Sequence, residues 1–235
     1  VLSKALQYYG GKLNLVFCNT KNDCAGVSQE LQKMSIGSVA LHGDMEQQAR
    51  SQTLIRFANG SANVLVATDV AARGLDIDDV DAVFNFELPH QVESYVHRIG
   101  RTGRSGRDGT AMSLVSDREM SRLKAIETDL NRGAMRLWRA DSDTQGEHRR
   151  PHVTLIAPRV HTLEINGGRK QKLRPGDILG ALTADGALGA DAVGKIDILP
   201  MVSYVAVAKK QAGVAQQLLN QNKIKGRQFR ARGVG

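Results

Sequence analysis

The stretch His97-Arg98-Ile99-Gly100-Arg101-Thr102-Gly103-Arg104 carries three arginines, Arg107 adds a fourth, and no acid stands between Ser94 and Gly106. A solvated helical face ordinarily interleaves acids with bases to gain pairs four residues apart. Nothing local neutralises this stretch, so its natural complement is an outside anion. Arginine suits phosphate because its planar fork offers several fixed donors and stays charged at any working pH. A helix over residues 92–101 would set His97, Arg101 and Arg104 at i, i+4 and i+7, on one face. Gly100 and Gly103 weaken a helix, and read as places where backbone approaches a ligand or another domain. The plainer reading is the basic end of a surface helix.

What positions these arginines is an alternation of short strands and helices. Residues 13–18 form an apolar run of strand formers, and residues 24–34 read as a helix with Asp23 as its N-cap. A strand over 38–41 precedes a helix over 47–59, with Leu54, Ile55 and Phe57 inward and Gly60 as its stop. Strands follow over 63–68, 82–86 and 109–115, and a helix over 119–130 closes the series. Such alternation predicts a parallel α/β sheet, in which ligands gather at the carboxyl ends of strands. Thr20, the triplet His42-Gly43-Asp44 and the pair Thr68-Asp69 fall at those ends, with Arg50 and Arg73 a turn or two away. Each alone has a duller explanation, as a helix cap or a solvated side chain. Together with the arginines they describe one polar edge built for phosphates.

With 235 residues the chain has room for two ordinary domains, at roughly 100–200 residues apiece. A hydrophobic content of 41% supports a packed core. No apolar run is long enough for a membrane span, and no signal-peptide pattern opens the chain. A start at Val1 rather than Met suggests a piece of a longer protein. Cys18 and Cys24 lack the second pair of a zinc site, and read as reduced residues near a core, in a cytoplasmic protein. Charge is segregated: residues 1–150 hold 19 bases and 19 acids, whereas residues 151–235 hold 13 bases against 5 acids. The last third therefore attracts polyanions, with nucleic acid preferred over a membrane surface because no strongly amphipathic helix with bulky apolar residues is present.

Residues 141–150 are polar, alternate in charge and end at Pro151, so residues 138–152 read as a linker. Beyond it, a strand over 160–165 closes at Asn166-Gly167-Gly168, and Pro175 opens a helix with Asp177 in its first turn. Strands over 192–199 and 202–208, a helix over 212–222 and a strand over 227–232 complete the order βαββαβ. That order is a small α+β, ferredoxin-like arrangement used by RRM domains. A typical RRM stacks bases on aromatics of its first and third strands. Here those strands offer Glu164, Val205 and Val207, with Tyr204 the single aromatic. Phosphate binding falls instead to two basic segments, Arg169-Lys170-Gln171-Lys172-Leu173-Arg174 and Lys223-Ile224-Lys225-Gly226-Arg227. A protein-binding or purely structural module is the competing reading.

Four stretches make a family resemblance specific: Leu15-Val16-Phe17-Cys18-Asn19-Thr20, Gln47-Gln48-Ala49-Arg50, the run from Ala67 through Thr68-Asp69-Val70-Ala71-Ala72-Arg73-Gly74-Leu75 to Asp76, and His97 to Arg104. In this order they resemble motifs IV, Q-x-x-R, V and VI of the second RecA-like domain of a DEAD-box RNA helicase, over residues 1–137. The tail, over residues 153–235, resembles the C-terminal RNA-binding domain of DbpA-type bacterial DEAD-box helicases. That likeness is carried by residues 167–177, Gly194-Lys195-Ile196 and Lys223-Ile224-Lys225-Gly226.

The resemblance implies that Arg101 and Arg104 act as arginine fingers on the γ-phosphate of ATP and that Asp76 contacts the ribose. It implies an RNA backbone path along Thr20, Gly43, Arg50, Thr68, Arg73 and Gly74, with His97 and Arg98 organising the interface between domains. Tail contacts are expected at Arg169, Lys170, Lys172, Arg174, Lys223, Lys225 and Arg227, on a hairpin of large-subunit ribosomal RNA during ribosome assembly. Neither a G-x-x-x-x-G-K-[ST] loop nor an Asp-Glu-Ala-Asp motif is present, so the triphosphate and the Mg²⁺ ligands are expected on a missing N-terminal RecA-like domain. The chain alone is expected to hydrolyse no ATP and to be monomeric. A non-catalytic RNA-binding or chaperone protein retaining the fold is the alternative, and a DNA helicase a more distant one.

Overall fold

The structure, a computed structural model, describes residues 1–73, 77, 80–104, 106–131, 133–136, 157–186 and 188–234. Two compact units emerge, one of Val1–Thr53 with Ala62–Ala157 and one of Leu54–Ser61 with Pro158–Gly235. The linker expected over 138–152 lies outside the described residues.

Along the chain to Asp129, a short helix α1 (Leu2–Tyr9) leads into β1 (Asn14–Cys18), followed by α2 (Lys21–Lys33), β2 (Ser38–Leu41), α3 (Gln47–Ala58), β3 (Val64–Thr68), α4 (Asp69–Ala72), β4 (Ala82–Asn85), α5 (Val92–Ile99), β5 (Thr110–Ser113) and α6 (Met120–Asp129), all of it in the first unit but for the end of α3 from Leu54. All five strands are parallel, in the order β2-β3-β1-β4-β5. The residues of β1, β3 and β4 are buried throughout, which is why they read as unbroken apolar runs rather than alternating ones. Cys18 pairs with Thr68, and Leu41 with Ala67. That register brings the carboxyl ends of β1, β2 and β3 to one edge.

The sequence reading needs four corrections here. Helix α1 had no place in it. Helix α2 begins at Lys21, with Thr20 and not Asp23 as its N-cap, its hydroxyl accepting the Asp23 N–H at 3.2 Å. In α3 the buried stripe is Thr53 and Phe57, one turn apart, while Leu54 and Ile55 are half-buried. Helix α5 ends at Ile99, so His97, Arg101 and Arg104 do not share a helical face.

The second unit is a four-stranded antiparallel sheet of order β7-β8-β6-β9. It is built from β6 (Val160–Ile165), α7 (Pro175–Thr183), β7 (Val193–Ile198), β8 (Ser203–Ala208), α8 (Ala212–Gln221) and β9 (Ala231–Val234). This is the expected βαββαβ order, and its core joins Leu163, Ile165, Val205 and Val207 of the sheet to Ile178, Leu182, Ala215 and Leu219 of the helices. Val205 and Val207 thus face the core, and the opposite face carries Glu164 beside Tyr204. Tyr204 is fully buried, its hydroxyl donating to Glu164 at 3.1 Å. The final strand starts four residues later than expected. Lys225 and Gly226 both take positive φ, 52° and 74°, which folds Ile224 back onto Arg227 in a tight reversal, so residues 227–230 only approach the sheet.

Candidate functional site

Arg98 is the organising residue of the first unit, enclosed within it. Its side chain is 1% exposed. Nε and Nη2 each reach an Asp69 carboxylate oxygen at 2.7 Å, Nη2 also donates to Asn19 Oδ1 at 2.8 Å, and Nη1 donates to the Glu87 carbonyl at 2.9 Å and Asn85 Oδ1 at 3.2 Å. The guanidinium lies 5.1 Å from the centre of the Phe17 ring, within cation–π range. A charge buried so deeply is tolerable only because it is paired and every direction of its fork is met. Sequence reasoning missed Asn19, Asp69 and Asn85 as its partners. The signal for Asn85 was present, since a fully buried asparagine ends an otherwise apolar strand.

From this anchor the chain turns at Gly100 into the loop bearing Arg101 and Arg104. Thr102 Oγ1 donates to the carbonyls of Val80 at 2.6 Å and Asp81 at 3.1 Å, and the Val80 N–H returns a bond to the Arg101 carbonyl at 3.2 Å. The loop is therefore laced to the segment entering β4. Arg104 is exposed, its Nε donating to the Gly100 carbonyl at 2.6 Å, and Arg101 is half-buried. Gly103 adopts φ +69°, a region open to glycine at little cost. A Cβ built on Gly109 would lie 2.3 Å from the Gly103 nitrogen and 2.5 Å from Thr102 Oγ1. The close approach expected at these glycines is thus backbone against backbone within the unit.

The polar edge holds the other expected residues apart from two. Thr20 caps α2 and hydrogen-bonds the Asp23 carboxylate. Gly43 is exposed, with nothing within 4 Å of where a Cβ would stand. Arg50 is half-buried and donates to the Ala71 carbonyl at 2.7 Å, tying α3 to α4. Thr68 is 8% exposed at the start of α4, and Arg73 is exposed at its end. His97 lies exposed on α5. Gly74 and Asp76 lie outside the described residues. A further pair that the sequence reading did not single out, Lys21 with Asp44, joins α2 to the loop after β2 and holds the Asp44 carboxyl below its ordinary range.

In the second unit Arg169, Lys170, Lys172, Arg174, Lys223, Lys225 and Arg227 are all exposed. Lys225 stitches the two basic loops together, its Nζ bonding Asp177 Oδ2 at 2.8 Å and the Lys172 carbonyl at 3.0 Å. Lys225 is therefore partly neutralised. The loop carrying Arg169 and Lys170 is fixed to the β7–β8 turn, their N–H groups bonding the carbonyls of Leu199 at 2.9 Å and Pro200 at 3.0 Å. Gly168 permits this, because a Cβ there would stand 2.2 Å from the Leu199 carbonyl oxygen.

Known proteins share both units. Residues 1–106 match the family model of the helicase conserved C-terminal domain, and residues 162–232 match that of the DbpA RNA binding domain. The chain is 44% identical to the ATP-dependent RNA helicase DbpA of Escherichia coli over 99% of its own length and 49% of that protein's. It is 31% identical to the Bacillus subtilis protein of the same name, over 92% of this chain and 48% of that one. It spans about half the length of these curated relatives. A solved structure of Saccharomyces cerevisiae Dbp5 bound to RNA and ADP BeF3 superposes with a TM-score of 0.55 at 32% identity, over 60% of this chain and 38% of that one.

Proposed function

The chain belongs to the DbpA-type DEAD-box helicases, joining a helicase C-terminal domain to a DbpA RNA-binding domain, and from that premise we propose that it forms one side of a composite ATPase site. The observation that carries this reading is the lacing of the Arg101–Arg104 loop to Val80 and, through α5, to the Arg98–Asp69 pair. In phosphoryl transfer the barrier falls mainly through positioning and through charge placed on the equatorial oxygens of the moving phosphoryl group. Arg101 and Arg104 supply that charge to a γ-phosphate presented by a second domain, which also holds the Mg²⁺ of the nucleotide. Asp76 contacts the ribose. Thr20, Gly43, Arg50, Thr68, Arg73 and Gly74 follow an RNA backbone, and contacts of that kind are independent of base sequence. His97 is assigned to the interface with the nucleotide-binding domain.

The tail, taken as residues 153–235, is assigned the choice of RNA. Its loops 169–174 and 223–227 bind a hairpin of large-subunit ribosomal RNA, so that the helicase part acts on nearby short duplexes during ribosome assembly. The excess of bases in this third supports the reading, as does the exposure of both loops. The molecule is assigned to the cytoplasm as a monomer.

The test joins this chain to the half of the Escherichia coli relative that it does not cover. RNA-stimulated ATP hydrolysis should appear, and Arg101→Ala or Arg104→Ala should reduce it by roughly 10³-fold or more while RNA binding by the tail persists. Unchanged turnover would remove the arginine-finger role and favour a non-catalytic RNA-binding protein. Binding of ribosomal hairpins no better than scrambled ones would remove the ribosomal assignment.

A further inference from the structure

A groove of about 980 Å³ runs along the outer edge of β9, between that strand and α8. Strand β9 ends the sheet, so every second residue turns its backbone polar groups outward. Arg230 and Arg232 face the neighbouring strand, opposite Asn166 and Glu164. Ala231 faces out, and Asn220 captures both of its groups, accepting from its N–H at 2.8 Å and donating to its carbonyl at 3.1 Å. Gln228 donates in turn to the Asn220 carbonyl at 2.7 Å. The floor of the groove is thereby fixed, and Ala231 is closed to an added strand.

What remains on the groove walls is a set of donors and acceptors without internal work. Among the described residues, the side chains of Asn166, Gln216 and Arg230 have no hydrogen-bond partner, and no carboxylate lines the groove. Arg232, which also lines the groove, is bonded to Glu164 at 2.8 Å. A phosphate would be served by cations and N–H groups, whereas an amide also presents an acceptor oxygen that repels it. Amides paired with a guanidinium match instead the mixed donor and acceptor edges of a nucleobase, and the guanidinium plane can stack on its face. Groove residues also adjoin both basic loops along the chain: Asn166 precedes the Gly167-Gly168 turn into one, and Gln228 follows Arg227 of the other.

We propose that this groove receives an unpaired nucleobase of the bound RNA, read by Asn166, Gln216 and Arg230, while the basic loops hold the flanking phosphates. The proposal rests on the reading of the tail as an RNA-binding domain and adds a base-reading subsite to it.

The test is fluorescence anisotropy of the whole 235-residue chain with a synthetic stem–loop RNA, intact or carrying one abasic loop position at a time. Gln216→Ala and Arg230→Ala should each weaken the intact RNA roughly tenfold. One abasic position should weaken the unaltered chain by a similar factor and weaken Arg230→Ala no further. Gln216→Glu, which keeps the side chain's shape, serves as a second variant and should lose at least as much. If these variants bind like the unaltered chain while Lys170→Ala and Lys172→Ala weaken binding, the groove proposal falls and the RNA-binding reading stands. If the chain binds no RNA even at low salt, both fall.

Discussion

Arg98 and Asp69 meet in a two-pronged ion pair, Nε to Oδ1 and Nη2 to Oδ2, both at 2.7 Å, with Arg98 1% exposed and Asp69 28%. The pair ties the start of α4 to α5, and so joins the segment that follows Thr68 to the one that leads into Arg101 and Arg104. Breaking a buried pair strands the surviving charge, at about 3–5 kcal/mol. Asp69→Asn keeps one acceptor but loses the charge and the second prong. We expect it to cost about 3 kcal/mol in chemical unfolding, and Arg98→Met more than that. A double-mutant cycle between the two positions should return strong coupling; additive losses would show that the pair is incidental to the unit.

Gly109 governs the arginine loop from a strand entry, through its approach to Thr102 and Gly103. A methyl group there would overlap the Gly103 nitrogen and Thr102 Oγ1, at 2.3 and 2.5 Å. The Gly103 nitrogen is backbone, so that overlap cannot be shed through a flexible side chain. Gly109→Ala should displace the Thr102 bond to Val80 and abolish RNA-stimulated hydrolysis in the joined protein while leaving tail binding to RNA intact. Amide exchange at Val80 is the readout, because its N–H bonds the Arg101 carbonyl in the same lacing. Protection there equal to that of the unaltered chain would rule out the displacement.

The succession of strands and helices in each unit was legible because runs such as Leu15-Val16-Phe17 bear the marks of their burial. The arginine loop was legible as chemistry but not as geometry. Periodicity extends a helix through Gly100, whereas the actual stop is set by Thr102 bonding to Val80, some twenty residues away in sequence. Arg98 and Arg104 look alike in a string of letters. One is the most enclosed cation of the site and the other is exposed, because only Arg98 meets Asp69, Asn85 and Asn19. Likewise, nothing local distinguishes Lys225 from Lys223. The partner that neutralises Lys225, Asp177, lies on a different element.

Cys18 and Cys24 report on the integrity of the first core. Both are fully buried. Burial pushes the Cys24 thiol up to about 11, against a smaller opposing effect of the Leu41 backbone, and pushes the Cys18 thiol higher still. The thiolate is the reactive form, so at pH 8 only about one Cys24 in a thousand is available even before access is considered. Iodoacetamide should therefore label neither residue in the folded chain, and both together on unfolding. Rapid native labelling of either would contradict the packing of β1 against α2.

Lys225 sets the sign of the last prediction. Its bond to Asp177 is the leading cause that holds the Asp177 carboxyl below its ordinary value of 3.8. A carboxyl lowered in the folded state contributes above its unfolded pKa, and that contribution fades as pH falls through the folded value. The stitch between the basic loops is therefore intact from pH 5 to 8 and opens only in acid. Within that range Asp177→Asn removes the charge opposite Lys225 but keeps an acceptor for the Arg174 N–H, bonded now at 2.8 Å. One more uncompensated cation then faces the RNA. Affinity should rise a few-fold, and the logarithmic salt slope should steepen by about 0.7–0.9. Lys225→Met should weaken binding less than Lys170→Met does, since Lys225 is already half spent on Asp177. Isothermal titration at several salt concentrations measures all three. A fall in affinity for Asp177→Asn with the fold intact would mean that the stitch positions the loops more than it taxes their charge.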